Sequence, residues 1–183
     1  MKSIMTVIGS LAHYADDNDG MIKAPKAVVL VDVSWSMETS DAFVGGFPRS
    51  RYDAACTQLQ RLQAQMPGEI AVIAFADHPE FCPGGVPMEP CGTTDLAAAL
   101  AMARQADNGS MRFVVISDGD PNNHDEALKE ARQFSVGIDT IAIGQEQRGR
   151  SFLRELAAST GGTYHEDAGT LVLAQTIAGL LAA

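Results

Sequence analysis

The chain has three cysteines, one tryptophan and four histidines in 183 residues, and only 13 basic side chains against 23 acidic ones. Each shortage excludes something. Three cysteines cannot build a disulfide framework, so the fold must rest on a buried core and the thiols are expected to be free. Cys82 and Cys91 do flank a single Pro/Gly-rich loop and are the pair to watch. A formal charge of −10 leaves no basic stripe to displace counterions from nucleic acid, and it disfavours anionic membrane surfaces. No apolar run approaches the roughly 20 residues of a membrane span. The N-terminal "MKSIMTVIGSLAHYADD" has one basic residue and no convincing cleavage site, so a retained N-terminus in a cytoplasmic, bacterial setting is expected. His13, His78 and His165 are scattered, which gives a histidine metal site no support.

Apolar residues make up 46% of the chain and charged residues 20%, the proportions of a globular domain long enough for a substantial core. Strand-like and helix-like runs alternate, the signature of a parallel sheet wrapped by helices. Strands are expected at Lys26–Val33, Ile70–Ala76, Arg112–Ser117, Gly137–Ile143 and Gly162–Glu166, with a short antiparallel edge strand around Glu80–Cys82. Helical patterns fall at Arg51–Met66, Thr94–Ala106, His124–Phe134, Arg150–Thr160 and Gly169–Ala183. The fold class is therefore α/β, doubly wound, with a mostly parallel central sheet and helices on both faces. The division expected is an amphipathic helix and polar linker over residues 1–24, then a domain over 25–183. Ile4, Val7, Ile8 and Leu11 are the stripe of that first helix, expected to pack on the body. The linker "ADDNDGMIKAPK" imitates a calcium loop. With Gly20 at the turn position, however, Ala15 and Lys26 stand where the first and last oxygen ligands are needed.

The chemistry concentrates at strand ends. In "VVLVDVSWSM" an apolar strand drives into Asp32, and Ser34 and Ser36 follow at every second position. On a loop leaving the strand these three converge while Val33 and Trp35 turn away. Hard oxygens without cysteine or histidine select magnesium, manganese or calcium over zinc or copper. "FVVISDGDPNN" takes a second buried strand into Asp118, and "CGTTDLAAAL" presents Thr93 and Thr94 where a helix begins. Open parallel sheets bind ligands beyond the carboxyl ends of their strands, where strand order reverses. If the strands ending in Asp32 and Ser117 are central neighbours, Asp32 and Asp118 meet in that crevice.

These three segments, in this order, resemble the von Willebrand factor A domain and its metal-ion-dependent adhesion site. "DVSWS" is similar to the family's Asp-x-Ser-x-Ser, "GTT" to its Gly-Gly-Thr with Thr93 in place of a glycine, and "SDG" to its Thr-Asp-Gly. The resemblance runs from about Ala24 to the C-terminus. It implies a Mg2+ ion, with Mn2+ or Ca2+ as substitutes, held by Asp32, Ser34, Ser36, Thr94 and Asp118. One position is left open for a glutamate or aspartate of a partner protein. It implies a binding module rather than an enzyme, of a kind that works beside ATPase or chelatase-type complexes.

Two departures stand out. The stretch "FCPGGVPMEPCGTT" is more compact than the family's usual helical connection, and Glu38–Arg51 is longer than the usual link. Trp35, where the family commonly has glycine, and Phe43 and Phe47 in that long link are candidate partner contacts. Asp95 and Asp120 either orient ligands and waters or cap local turns. Other classes are a magnesium hydrolase or phosphatase, and a scaffold with an idle site. A dehalogenase-like phosphatase would carry a second aspartate where Ser34 stands, no Gly-rich phosphate loop occurs, and "DVSWS" lacks the glycines of a nucleophile elbow for a Ser–His–Asp arrangement with His124.

Overall fold

The computed structural model describes residues 6–44, 46–166 and 179, without the side chains of Phe43 and Val44. Its elements are α1 (Leu11–Asp17), β1 (Ala27–Asp32), β2 (Ala42–Val44), β3 (Phe47–Arg49), α2 (Arg51–Gln65), β4 (Ile70–Phe75) and β5 (Pro79–Phe81). They continue with α3 (Leu96–Ala103), β6 (Arg112–Ser117), α4 (His124–Ala131), β7 (Ile138–Ala142), α5 (Gln147–Thr160) and β8 (Tyr164–Glu166).

Six strands form one sheet in the order β5-β4-β1-β6-β7-β8, parallel except for the β5 edge. Every residue of β1 and β4 is buried, as strands covered on both faces must be. Val28, Leu30, Phe113 and Val115 face α3, α4 and α5, whereas Val29, Val31, Val114 and Ile116 face Ala55, Leu59 and Leu62 of α2. Alternate residues of each strand thus feed two cores, and the doubly wound α/β fold follows. From β1 the chain passes to β4 on one side, then returns to β6 on the other, so strand order reverses beside β1. The helix expected at Gly169–Ala183 lies outside the described residues.

The N-terminal helix is shorter than the periodicity implied. It begins at Leu11, not near the chain start, and Ile8 is exposed. Gly9 is the reason: it adopts φ +83°, and a Cβ there would overlap the Gln63 carbonyl oxygen. Ser10 then caps the helix by accepting from the His13 amide at 3.2 Å. Val7 and Ala12 donate to Gly84 and Pro83, and Gly68 donates to Gly9, so hydrogen bonds attach this segment together with Leu11, which packs against the core. Ile4 lies outside the described residues. In the calcium-loop imitation, Lys23 and Lys26 both pair with Glu69, so its last ligand position is occupied by an ion pair. Cys56, Cys82 and Cys91 are free.

The long link after β1 holds an unanticipated antiparallel hairpin, β2–β3, separate from the main sheet. Three-residue strands, one containing Pro48, carry too little alternation to be read in sequence. Among the described residues no helix is long and apolar enough to cross a membrane.

Candidate functional site

Asp32 is the last residue of β1 and has no exposed surface. Register explains its company. Val31 stands opposite Ile116 and Asp32 opposite Phe75, so the Asp32 carboxylate emerges beside Ser117 at the sheet's carboxyl edge. Its Oδ1 accepts from the Ser34 amide at 2.8 Å and its Oδ2 from the Ser117 hydroxyl at 2.5 Å. Burial, and next the charge of Asp118, push its pKa up to about 6 despite these hydrogen bonds.

Ser34 caps a short 3-10 turn, Trp35–Glu38, from extended backbone. Its Oγ lies 3.0 Å from that of Ser36, so the two hydroxyls do share one direction. Val33 and Met37 turn into the core instead, while Trp35 goes outward and is 59% exposed.

Backbone and side-chain contacts draw the three loops together. Trp35 donates to the Gly92 carbonyl and Cys91 to that of Val33, tying the serine loop to the threonine loop. Asn122 closes the circuit: its amide donates to the Thr94 carbonyl at 2.9 Å and its Oδ1 accepts from the Thr94 amide at 3.1 Å. Its Nδ2 also donates to the Thr93 hydroxyl. Thr94 and Asp118 are both buried, at 7% and 6% exposure. The strand ends therefore bring Asp32, Ser34, Ser36, Thr94 and Asp118 to one edge.

The remaining sequence candidates have other partners. Asp95 caps α3, accepting from the Ala98 amide at 3.0 Å. Asp120 faces away, to His124 at 3.0 Å and Arg148 at 3.2 Å. Thr93 binds Asp77 through both its amide and its hydroxyl, which holds that carboxyl below its ordinary range. Phe47 is 69% exposed, and the Phe43 side chain lies outside the described residues.

Three residues beyond those candidates shape the site: Ser117, Asn122 and Arg51. Arg51, the first residue of α2, is 2% exposed. It donates to Asp118 Oδ2 at 2.8 Å, and through Nε and Nη2 to both carboxylate oxygens of Asp41 at 2.8 and 2.7 Å. These partners keep its guanidinium charged, and Arg51 in turn lowers the pKa of Asp41. A signal existed in the sequence. A cation in the first helical turn opposes the helix dipole, and such a local conflict marks a residue held for another purpose.

The donor set suits a hard cation. Asp32, Ser34, Ser36, Thr94 and Asp118 all offer oxygen, Asp118 Oδ1 has no hydrogen-bond partner among the described residues, and the charge of Asp118 opposes ionisation of Asp32. No group of three or more His, Cys, Asp or Glu placed to hold a metal ion occurs among the described residues, so an ion here would depend on the serine and threonine hydroxyls.

No family model and no curated protein matches the sequence. Solved structures do. An aerotolerance-related membrane protein from Bacteroides fragilis aligns at TM-score 0.68 and 17% identity, over 87% of this chain and 99% of its own. The conserved hypothetical protein BatB from Bacteroides thetaiotaomicron aligns at 0.64 and 16%, over 87% and 100%. A von Willebrand factor type A protein from Catenulispora acidiphila aligns at 0.63 and 18%, over 87% of this chain and 42% of its own. At these identities the likeness concerns architecture, and on that evidence the chain has the fold of the von Willebrand factor A domain.

Proposed function

We propose that this chain is a protein-binding module that holds a divalent cation, Mg2+ in the cell, at the carboxyl edge of its sheet. The cation would present an open position to a carboxylate of a partner protein. The observation that carries the reading is the convergence of Asp32, Asp118, Ser34, Ser36 and Thr94 from three loops hydrogen-bonded to one another. The two aspartates are the anionic donors. The three hydroxyls orient without neutralising, so a bound ion would retain positive charge toward solvent. Ser117 and the Ser34 amide hold the Asp32 carboxylate in place, and Asn122 holds the Thr94 loop against the loop after Asp118.

The von Willebrand A fold supports interaction rather than turnover. His124 is engaged by Asp120 and lies 4.6 Å from the ring of Phe152. Trp35, exposed beside the serines, is the aromatic contact of the partner surface in this reading, a role in which Trp is enriched. Three free thiols support a cytoplasmic location.

The test is Mn2+ binding to the wild type and to Thr94→Ala, with Mg2+ as competitor. Saturable binding that the substitution removes and Mg2+ displaces is expected. Capture of a partner should then require the metal and be lost with chelator. Mn2+ binding that is unchanged in Thr94→Ala refutes the assignment.

A further inference from the structure

Arg51 does something to the site that the five oxygen donors do not. Its guanidinium occupies an inner position, with Nη1 on Asp118 Oδ2, while Asp41 takes its other edge. Glu146, from the segment before α5, stands 3.6 Å from Nη2. The Gly144 backbone presses against it so closely that a Cβ there would overlap Nε. Helix propensity does not call for a buried cation at this end of α2. Three segments nevertheless converge to hold it.

Counting charge shows the consequence. Asp32 and Asp118 contribute two negative charges in the crevice, and Arg51 offsets one of them. A divalent ion entering that crevice leaves it net positive, where without Arg51 it would be neutral. Like charge opposes the ion, and the resulting positive field favours an anionic group arriving from outside. Asp41 and Glu146 are more exposed than Asp118, at 31% and 61% against 5%, so solvent screens their offsetting charge more strongly.

We propose that Arg51 is a positioning residue that weakens cation binding by the empty site and makes that binding depend more strongly on a partner carboxylate. The inference rests on the metal reading above and adds a mechanism against idle metal loading: the ion alone fills the site only at higher concentration than it needs when the acidic group is present.

The experiment is Mn2+ titration followed by paramagnetic resonance of the free ion, with and without acetate as the carboxylate probe. The full chain would be used as wild type, Arg51→Gln, Arg51→Lys, Asp41→Asn and Thr94→Ala. Arg51→Gln should tighten Mn2+ binding about tenfold and reduce the gain in affinity that a fixed acetate concentration brings to the wild type. Arg51→Lys, which keeps the charge, should restore both properties in part. Asp41→Asn removes a negative charge and should weaken Mn2+ binding about threefold, opposite in sign to Arg51→Gln. A residue serving packing alone would move both variants the same way. Folded Arg51→Gln protein that binds Mn2+ no tighter than wild type overturns the inference. Should Arg51→Gln fail to fold, tighter binding by Asp41→Asn overturns it. Wild-type binding that does not depend on Thr94 overturns the metal reading itself, a separate result.

Discussion

Asp32 offers a test of the site that needs neither metal nor partner. Its pKa is pushed up from 3.8 to about 6 by burial and by Asp118. A carboxyl whose folded pKa is raised destabilises the protein wherever the folded state must give up the proton. The penalty is absent well below pH 3.8, grows between the two pKa values, and is complete above pH 6. Two pKa units at about 1.4 kcal/mol each place it near 3 kcal/mol at about pH 7.5, falling to about 1 kcal/mol at about pH 4.5. Asp32→Asn removes the charge and keeps an oxygen for the Ser34 amide. It leaves the Ser117 hydroxyl to find another acceptor, a loss of about 1 kcal/mol. The variant should therefore be more stable than wild type in chelator at neutral pH by about 2 kcal/mol, or about 4–8 °C in Tm. That advantage should vanish at about pH 4.5. Thermal unfolding of both proteins at the two pH values, in chelator, measures it, and the double difference cancels the titrating groups that do not interact with Asp32. With Mg2+ added the order should reverse, since mass action gives the wild type about 2.7 kcal/mol at about hundredfold excess over Kd, and the variant none. An Asp32→Asn protein less stable than wild type at neutral pH in chelator would refute the reasoning, because it would mean the charge is welcome where it sits.

Asn122→Ala deletes the clasp on Thr94 and Thr93. It should cost about 1–2 kcal/mol, read in urea unfolding, and weaken Mn2+ binding more than a distant substitution of equal cost. Asp41, held below its ordinary pKa by Arg51, contributes stability that is present above pH 3.8 and lost as pH falls through its folded value. Asp41→Asn should lower stability by about 1–2 kcal/mol at neutral pH, and the gap should close in acid unfolding below pH 3.8. Burial pushes the Cys56 thiol up to about 11. Native protein at about pH 8 should be alkylated there at roughly a tenth of the rate found in urea, or slower, as counted by mass spectrometry. Gly144→Ala sets a methyl group against the Arg51 guanidinium at a backbone φ of +85° and should cost about 1–3 kcal/mol by calorimetry.

Much of the architecture was written in local patterns. Continuous apolar runs marked β1 and β6, because a strand covered on both faces buries mostly apolar residues. Asp32 and Asp118, each closing or following such a run, were legible as strand-end carboxylates. The fold they belong to, with its antiparallel edge at β5, was legible in the same way. The β2–β3 hairpin was not, since three-residue strands leave no periodicity. The first helix was misjudged because a single positive-φ glycine, packed on a residue 54 positions away, outweighed its apolar spacing.

The sequence by itself determined which residues could be site donors: oxygen-bearing side chains at the ends of buried strands, in three loops whose order along the chain never changes. Only the tertiary structure decided what those donors touch. Ser117 meets Asp32 across 85 residues, Arg51 meets Asp118 across 67, and Asn122 meets Thr94 across 28. Such contacts follow from strand register and helix placement, which arise from burying two apolar faces at once and leave no mark in any local window of sequence.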